Sequence, residues 1–320
     1  MFLAILILLF GFVILIKGAD WLVDGASVVA KKLKISDLVI GLTVVAFGTS
    51  APELVVSVFS SVGGNSDIAV ANVVGSNIAN IFLILGLSAI IFPLVVTKGT
   101  VWKEIPLSLL AISLVGIMAS DFLIDSLPFS ALTRIDGLIL LSFFVIFMYY
   151  TFGLSQDNFD QNEISEKSNK NLLVAFSMIV GGLIGLVVGG KLVVDNAVMI
   201  AQSLGVSASL IGLTIVAVGT SLPELVTSIV AVYKKNCDIA VGNAVGSNIF
   251  NVFLVLGLSA FINPLTIAEN GLIDIAMGIL ASLLLFIFMF VGKKRILQRW
   301  QGSLFVIIYV IYIVYLIYRG

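Results

Sequence analysis

Gly48-Thr49-Ser50-Ala51-Pro52-Glu53-Leu54 places a carboxylic acid, two hydroxyls and a proline inside an apolar stretch long enough to cross a bilayer, and the chain does this twice. The second copy, Gly219-Thr220-Ser221-Leu222-Pro223-Glu224-Leu225, follows 171 residues later with one substitution. At that offset Ile40–Leu54 matches Ile211–Leu225 at 12 of 15 positions, and Asn65–Ala89 matches Asn236–Ala260 at 19 of 25. Val23-Asp24-Gly25-Ala26 aligns with Val194-Asp195-Asn196-Ala197 in the same register, so no gap is needed from Val23 to Ala89. The matches include Thr, Ser, Pro, Glu, Asn and Asp, which chance likeness between apolar helices does not supply. Two copies of one architecture are therefore the first constraint on the fold.

Composition sets the solvent. Only 11% of the 320 residues are charged and 60% are hydrophobic, whereas soluble domains carry about 25% charged residues. The chain reads as a polytopic, all-α integral membrane protein. With about 20 apolar residues needed per spanning helix, ten spans are expected, near 2–28, 36–60, 68–92, 104–120, 135–153, 172–199, 207–232, 239–262, 273–291 and 302–318. Met1–Ile16 lacks a basic leader and runs on into a segment with an internal counterpart, so it reads as a retained first helix. The one long polar stretch, Ser155–Lys170, divides the chain into a first half (1–154), a linker (155–171) and a second half (172–320). There is no histidine and one cysteine, Cys237. That excludes an internal disulfide, Cys/His zinc sites and a histidine-based triad. No enzyme activity and no cofactor are expected, and nothing implies nucleic acid or an obligate protein partner.

Five spans per half is an odd number, which sets the second half upside down relative to the first. Basic residues test this, because cytoplasmic loops are enriched in Lys and Arg. Lys31, Lys32, Lys34, Lys98, Lys103, Lys167, Lys170, Lys234, Lys235, Lys293, Lys294, Arg295 and Arg299 fall on one side; Arg134 and Arg319 fall on the other. Lys31-Lys32-Leu33-Lys34 aligns with uncharged Gln202-Ser203-Leu204-Gly205, and Lys234-Lys235 with Gly63-Gly64. The expectation is two inverted-topology five-helix repeats with helices 2, 3, 7 and 8 broken, in the cell membrane, both termini extracytoplasmic.

Ionisable side chains at mid-bilayer depth are costly and mark function by default. Glu53 and Glu224 occupy that depth in a symmetric pair. Pro52 and Pro223 lack an N–H and clash with the carbonyl four residues back, loosening the helix beside each acid. Irregular backbone at membrane depth is tolerated where it is buried in protein or lines a wet cavity. Freed carbonyls beside a carboxylate suit a hard cation such as Ca²⁺, which takes 6–8 oxygens. Asn72, Ser76 and Asn80 form one helical stripe, repeated by Asn243, Ser247 and Asn251, with Gly75 and Gly246 expected to break each helix. For Asn72 and Asn243, ligation and interhelical hydrogen bonding are both open; the other four favour ligation. Asp24 and Asp195 read as caps or gates, Asp67 and Asp238 as N-caps, and Lys17 and Lys191 as snorkelling cations. The fourth, fifth, ninth and tenth spans read as scaffold with little polar content beyond Ser and Thr.

Gly-Thr-Ser-x-Pro-Glu in one helix and Gly-Ser-Asn-Ile-x-Asn in the next, present twice, resemble the α-repeats of the calcium/cation antiporter superfamily, in its prokaryotic sodium/calcium exchanger branch. The resemblance spans nearly the whole chain. It implies antiport of Na⁺ against Ca²⁺, both bound as transported ions at one oxygen cluster. Carried over position by position, it implies that Glu53 and Glu224 ligate Ca²⁺. Thr49, Thr220, Ser50, Ser221, Ser76 and Ser247 would line the sites, and Ala46 and Ala217 would offer carbonyls to Na⁺. Asn80 and Asn251 would complete the set. Potassium-dependent relatives carry aspartate at the position of Asn251, and proton-coupled relatives carry a Gly-Asn-x-x-Glu pattern in the third and eighth helices; here Asn251 is an amide, and Ala71-Asn72-Val73-Val74-Gly75 and Gly242-Asn243-Ala244-Val245-Gly246 lack the acid. A proton/calcium or potassium-dependent exchanger on the same fold is the alternative, and a cation channel built on the same ligands is a further one.

Overall fold

The computed structural model describes residues 2–124, 130–157, 171–204, 217–268 and 270–319. Most of the linker 155–171 and the start of the expected seventh span, through residue 216, lie outside the described residues. The chain is almost wholly helical: α1 (Phe2–Leu33), α2 (Asp37–Thr49), α3 (Ala51–Val62), α4 (Ser66–Ile91), α5 (Lys98–Met118), α6 (Arg134–Asp157), α7 (Leu172–Ser203), α8 (Ala217–Thr220), α9 (Leu222–Tyr233), α10 (Cys237–Ile262), α11 (Gly271–Phe288) and α12 (Arg299–Arg319). Among the described residues eight helices are long and apolar enough to cross a membrane, or nine when α2 and α3 count as one bent span. This is a multi-pass membrane protein.

The bend between α2 and α3 is 48° and follows from the sequence. Pro52 sits in the first turn of α3, where its missing N–H costs nothing, and the helix before it stops at Thr49. Ser50, the joint, has left helical geometry with φ −80° and ψ 6°. Ser221 repeats this joint before α9, with φ −86° and ψ 6° and Pro223 in the following turn.

α1 and α7 pack along their length in opposite directions, Gly11 meeting Gly189, Gly18 meeting Gly182 and Gly25 meeting Ala175. A Cβ on Gly18 would lie 2.8 Å from the Gly182 carbonyl oxygen, and one on Gly182 2.7 Å from that of Gly18. Only glycine permits such an approach of two backbones. The remaining helices interleave the two halves. α6 lies on the end of α10, Gly137 against Gly257 and Phe261; α12 lies on the end of α4, Gly302 against Gly86. Two short antiparallel ribbons add to this. β1 (Leu94–Val95) pairs with β4 (Ile296–Leu297), and β2 (Ala131–Leu132) with β3 (Leu265–Thr266). α4 and α10 form the buried centre.

Four expectations from sequence need correction. Gly75 and Gly246 do not break their helices: α4 and α10 run through them, and the irregularity comes later as π-helical turns at Asn80–Leu85 and Asn251–Leu256. An isolated glycine weakens a helix by only a modest amount, which the rest of a long, largely buried helix outweighs. Asp67 and Asp238 are not N-caps. Asn65 and Asn236 hold those positions, and the Asn236 side-chain oxygen accepts from the Ile239 N–H at 3.0 Å. The helices read as scaffold do carry polar contacts. The Tyr150 hydroxyl donates to the buried Glu104, and Tyr312 and Arg319 both donate to Asp274. Asp24 lies within α1 rather than at a cap, and it pairs with Lys234 at 2.6 Å.

Candidate functional site

The joints before α3 and α9 bring Glu53 and Glu224 to the middle of the molecule, where both are buried at 0% and 1% exposure. Each acid is held by the serine of the opposite joint. Ser50 Oγ donates to Glu224 Oε1 at 3.0 Å, and Ser221 Oγ to Glu53 Oε1 at 3.3 Å. Ser76 Oγ adds a second donor to Glu53 Oε1 at 3.3 Å and lies 3.2 Å from Ser221 Oγ. No basic side chain among the described residues is ion-paired with either glutamate.

The amide stripes supply the frame. Asn72 Nδ2 donates to the Glu53 carbonyl at 3.3 Å and to Ser57 Oγ at 2.9 Å; Asn243 Nδ2 donates to the Glu224 carbonyl at 3.2 Å and to Ser228 Oγ at 2.9 Å. Their oxygens face the other half, accepting from Thr220 Oγ1 at 3.5 Å and Thr49 Oγ1 at 2.9 Å. The structure thus shows both amides tying each acid-bearing helix to its neighbour. Ala46 presents its carbonyl to the cluster, accepting from Thr49 Oγ1 at 3.3 Å and Ser247 Oγ at 3.5 Å. Ala217 opens α8, in the position that Ala46 holds before Ser50.

Four side chains here were not singled out from sequence. Asn77 Nδ2 donates to the Asn248 carbonyl at 3.2 Å, and Asn248 Nδ2 to the Asn77 carbonyl at 3.3 Å. Asn80 Nδ2 reaches Asn248 Oδ1 at 2.9 Å, and Asn251 Nδ2 reaches Asn77 Oδ1 at 3.2 Å. Asn77 and Asn248, with Ser57 and Ser228, were findable: each recurs as the same polar residue at the 171-residue offset.

This lattice orients Asn80 and Asn251 by their nitrogens and leaves their oxygens without partners. Glu53 Oε2 and Glu224 Oε2 are likewise buried and unpartnered. Buried polar atoms are almost always satisfied, so these four orphaned acceptor oxygens call for an electron-poor partner such as a cation. Two carboxylate and two amide oxygens, with no nitrogen or sulfur, form the donor set of a hard cation. Among the described residues no third His, Cys, Asp or Glu joins them.

A cavity of about 410 Å³ reaches Asn72, Ser76 and Thr220 from the side of α11 and α12, where Asp274, Tyr312 and Arg319 line it. The counterparts Asn243, Ser247 and Thr49 are buried at 0–1% exposure. On that side Phe250 is surrounded by Phe47, Phe144 and Phe147, with ring centroids 5.8, 5.3 and 6.0 Å away.

Comparison with known proteins identifies the family. The sodium/calcium exchanger sequence family matches residues 3–153 and 174–318. The sodium/calcium exchanger MaX1 of Methanosarcina acetivorans is 36% identical over 337 aligned positions, covering 95% of this chain and 96% of that one. The inner membrane protein YrbG of Escherichia coli is 40% identical over 272, covering 82% and 81%. A structure of the sodium-calcium exchanger NCX_Mj, soaked with Na⁺ and Sr²⁺, superimposes with a TM-score of 0.84 at 35% identity over 98% of both chains. The chain belongs to the sodium/calcium exchanger protein family.

Proposed function

We propose that this chain is a secondary antiporter that moves Ca²⁺ against Na⁺ by alternating access, with both ions competing for the Glu53–Glu224 cluster. The observation that carries this reading is the set of four orphaned oxygens on Glu53, Glu224, Asn80 and Asn251. Two buried acids with no basic partner are tolerated best when a cation compensates them. A doubly empty site crosses the membrane reluctantly, and this couples the two fluxes. Thr49, Thr220, Ser50, Ser221, Ser76, Ser247 and the carbonyls of Ala46 and Ala217 complete the ligand set. MaX1 and NCX_Mj, both named as sodium/calcium exchangers, favour these two ions.

The fold in this reading is ten spans arranged as two inverted five-helix repeats, 1–154 and 172–320, joined by the linker 155–171. Support comes from α1 and its repeat counterpart α7 running in opposite directions, and from hydrogen bonds such as Asn72–Ser57 and Asn243–Ser228 recurring at the 171-residue offset. With the lysine-rich loops cytoplasmic in the cell membrane, the termini and the cavity beside Arg319 are extracytoplasmic. The present conformation is then open outward, with the phenylalanine cluster closing the inward path. Reversal exchanges the roles of the Asn72–Thr220 and Asn243–Thr49 pairs as the Gly-packed α1–α7 unit shifts against the rest.

Reconstitution tests this directly. Radiocalcium uptake into proteoliposomes is expected to follow an outward Na⁺ gradient and to need neither K⁺ nor a pH gradient. Uptake driven by a pH gradient alone refutes the choice of Na⁺, and an absolute need for K⁺ returns the potassium-dependent alternative.

A further inference from the structure

Outside the central cluster, the cavity has one more concentration of chemistry. Of the residues lining it, Asp274 and Arg319 alone carry full charge; Asn72, Ser76 and Thr220 are neutral, and Tyr309, Ile313 and Leu316 make up the α12 wall. Arg319 grips Asp274 with a two-pronged fork, Nη1 to Oδ1 at 2.8 Å and Nη2 to Oδ2 at 2.9 Å. Tyr312 adds its hydroxyl to Oδ1 at 2.9 Å. The side chains are 24% and 18% exposed, so cavity and pair share a partly dehydrated space. A guanidinium is an odd lining for a cation path unless its charge is cancelled, and here Asp274 cancels it. Conversely, Asp274 is a carboxylate placed before the central acids and already occupied by a cation that belongs to the protein.

Resting on the antiporter reading above, we propose that Asp274 is the first carboxylate a transported cation meets, and that Arg319 is a tethered competitor holding that carboxylate between ions. Admission exchanges guanidinium for Na⁺ or Ca²⁺ on Asp274; passage to Glu53 and Glu224 lets Arg319 return. The fork geometry suits the role, because a bidentate pair is directional and releases as a unit. Tyr312 keeps Asp274 in place while its partner changes.

Charge reversals of sense make this testable. Asp274→Asn leaves an uncancelled guanidinium over the cavity and is expected to raise the half-saturating concentration of both ions. Arg319→Gln frees the carboxylate and is expected to lower it. Because the same potential acts on one charge or two, the fold-change for Ca²⁺ is the square of that for Na⁺, on the order of threefold for Na⁺ against about tenfold for Ca²⁺. The double variant is neutral again and returns close to wild type, and Arg319→Lys, which keeps charge but loses the fork, stays near it. Equilibrium binding to the purified full-length protein, with Ca²⁺ titrated in the absence of Na⁺ and Na⁺ read without Ca²⁺, measures all four. Single variants that shift in the same direction, equal fold-changes for the two ions, or a double variant as weak as the weaker single each overturn the proposal. If either single variant does not fold, the double variant and Arg319→Lys still decide it: a loss of affinity in both points to a structural tie and overturns it. Wild-type protein that binds neither ion overturns the antiporter reading, an outcome distinct from wild-type binding with the wrong pattern of shifts.

Discussion

Glu53→Gln isolates the cation contact. Glu53 Oε1 accepts from Ser76 and Ser221, while Oε2 is the orphan. A glutamine with its oxygen at the Oε1 place keeps both serine bonds and puts an N–H₂ where the ion would bind, so volume and frame are retained. Removing one member of a buried charged set typically costs about 3–5 kcal/mol. At about 1.4 kcal/mol per decade this is roughly two to three and a half decades of Ca²⁺ affinity. The readout is thermal unfolding in detergent with and without Ca²⁺. A ligand at about 100 times its dissociation constant stabilises the native state by about 2.7 kcal/mol, whereas the same concentration against a site weakened ~100-fold gives only about 0.4 kcal/mol. The Ca²⁺-induced shift in Tm is therefore expected to collapse, while the ion-free variant unfolds no earlier than wild type because an uncompensated buried acid has been removed. The same Ca²⁺ shift in Glu53→Gln and in Glu224→Gln refutes the central-site reasoning.

Four further outcomes follow from the geometry. Asn77→Ala strips a partner from the Asn248 carbonyl and from Asn251 Nδ2; at about 1–3 kcal/mol per orphaned buried group, it is expected to lower Tm clearly, and an unchanged Tm means the lattice bears no load. Gly18→Ala drives a Cβ to 2.8 Å from the Gly182 carbonyl oxygen and is expected to separate α1 from α7 and abolish transport. Gly75→Ala, with nothing within 4 Å, is expected to fold with equal or higher stability. Lys234 meets Asp20 at 2.5 Å and Asp24 at 2.6 Å; partial burial works against its charge, but the two aspartates outweigh this and hold the ammonium above its ordinary range. A raised folded-state value means the contribution is complete below the ordinary lysine range near 10.4 and fades as pH climbs through the raised one. Lys234→Gln is expected to lower stability by about 0.5–1 kcal/mol at neutral pH, with the gap closing in strong alkali; a gap independent of pH contradicts the ion-pair account.

The central acids were legible because the repeat turned an isolated glutamate into a matched pair, and because proline beside it announced the bend. What could not be read was which half each partner comes from. Ser50 serves Glu224 and Ser221 serves Glu53, an exchange decided by how α2–α3 and α8–α9 cross in space. Asn77 escaped because a stripe counted at every fourth residue follows one face of α4, and Asn77 lies on the adjoining face, toward α10. Asp274 and Arg319 escaped for a different reason: charges near span ends are ordinarily solvated, and only the fold brings this pair to the wall of the cavity that reaches Asn72 and Ser76. The helix through Gly75 shows the limit of local propensity, since a small intrinsic penalty does not predict a break where the rest of a long helix outweighs it.

The reciprocal amides have a consequence for heredity. Asn77 and Asn248 each satisfy the other's backbone carbonyl, and Asn80 and Asn251 each lean on the opposite member of that pair. A change in one copy of the repeat therefore orphans a group in the other, and the second copy must answer it. Loops are free of this: Lys31, Lys32 and Lys34 align with Gln202, Ser203 and Gly205, and Lys234 and Lys235 with Gly63 and Gly64. Two copies of one ancestral segment can thus diverge at their rims while their centres stay locked to a shared text.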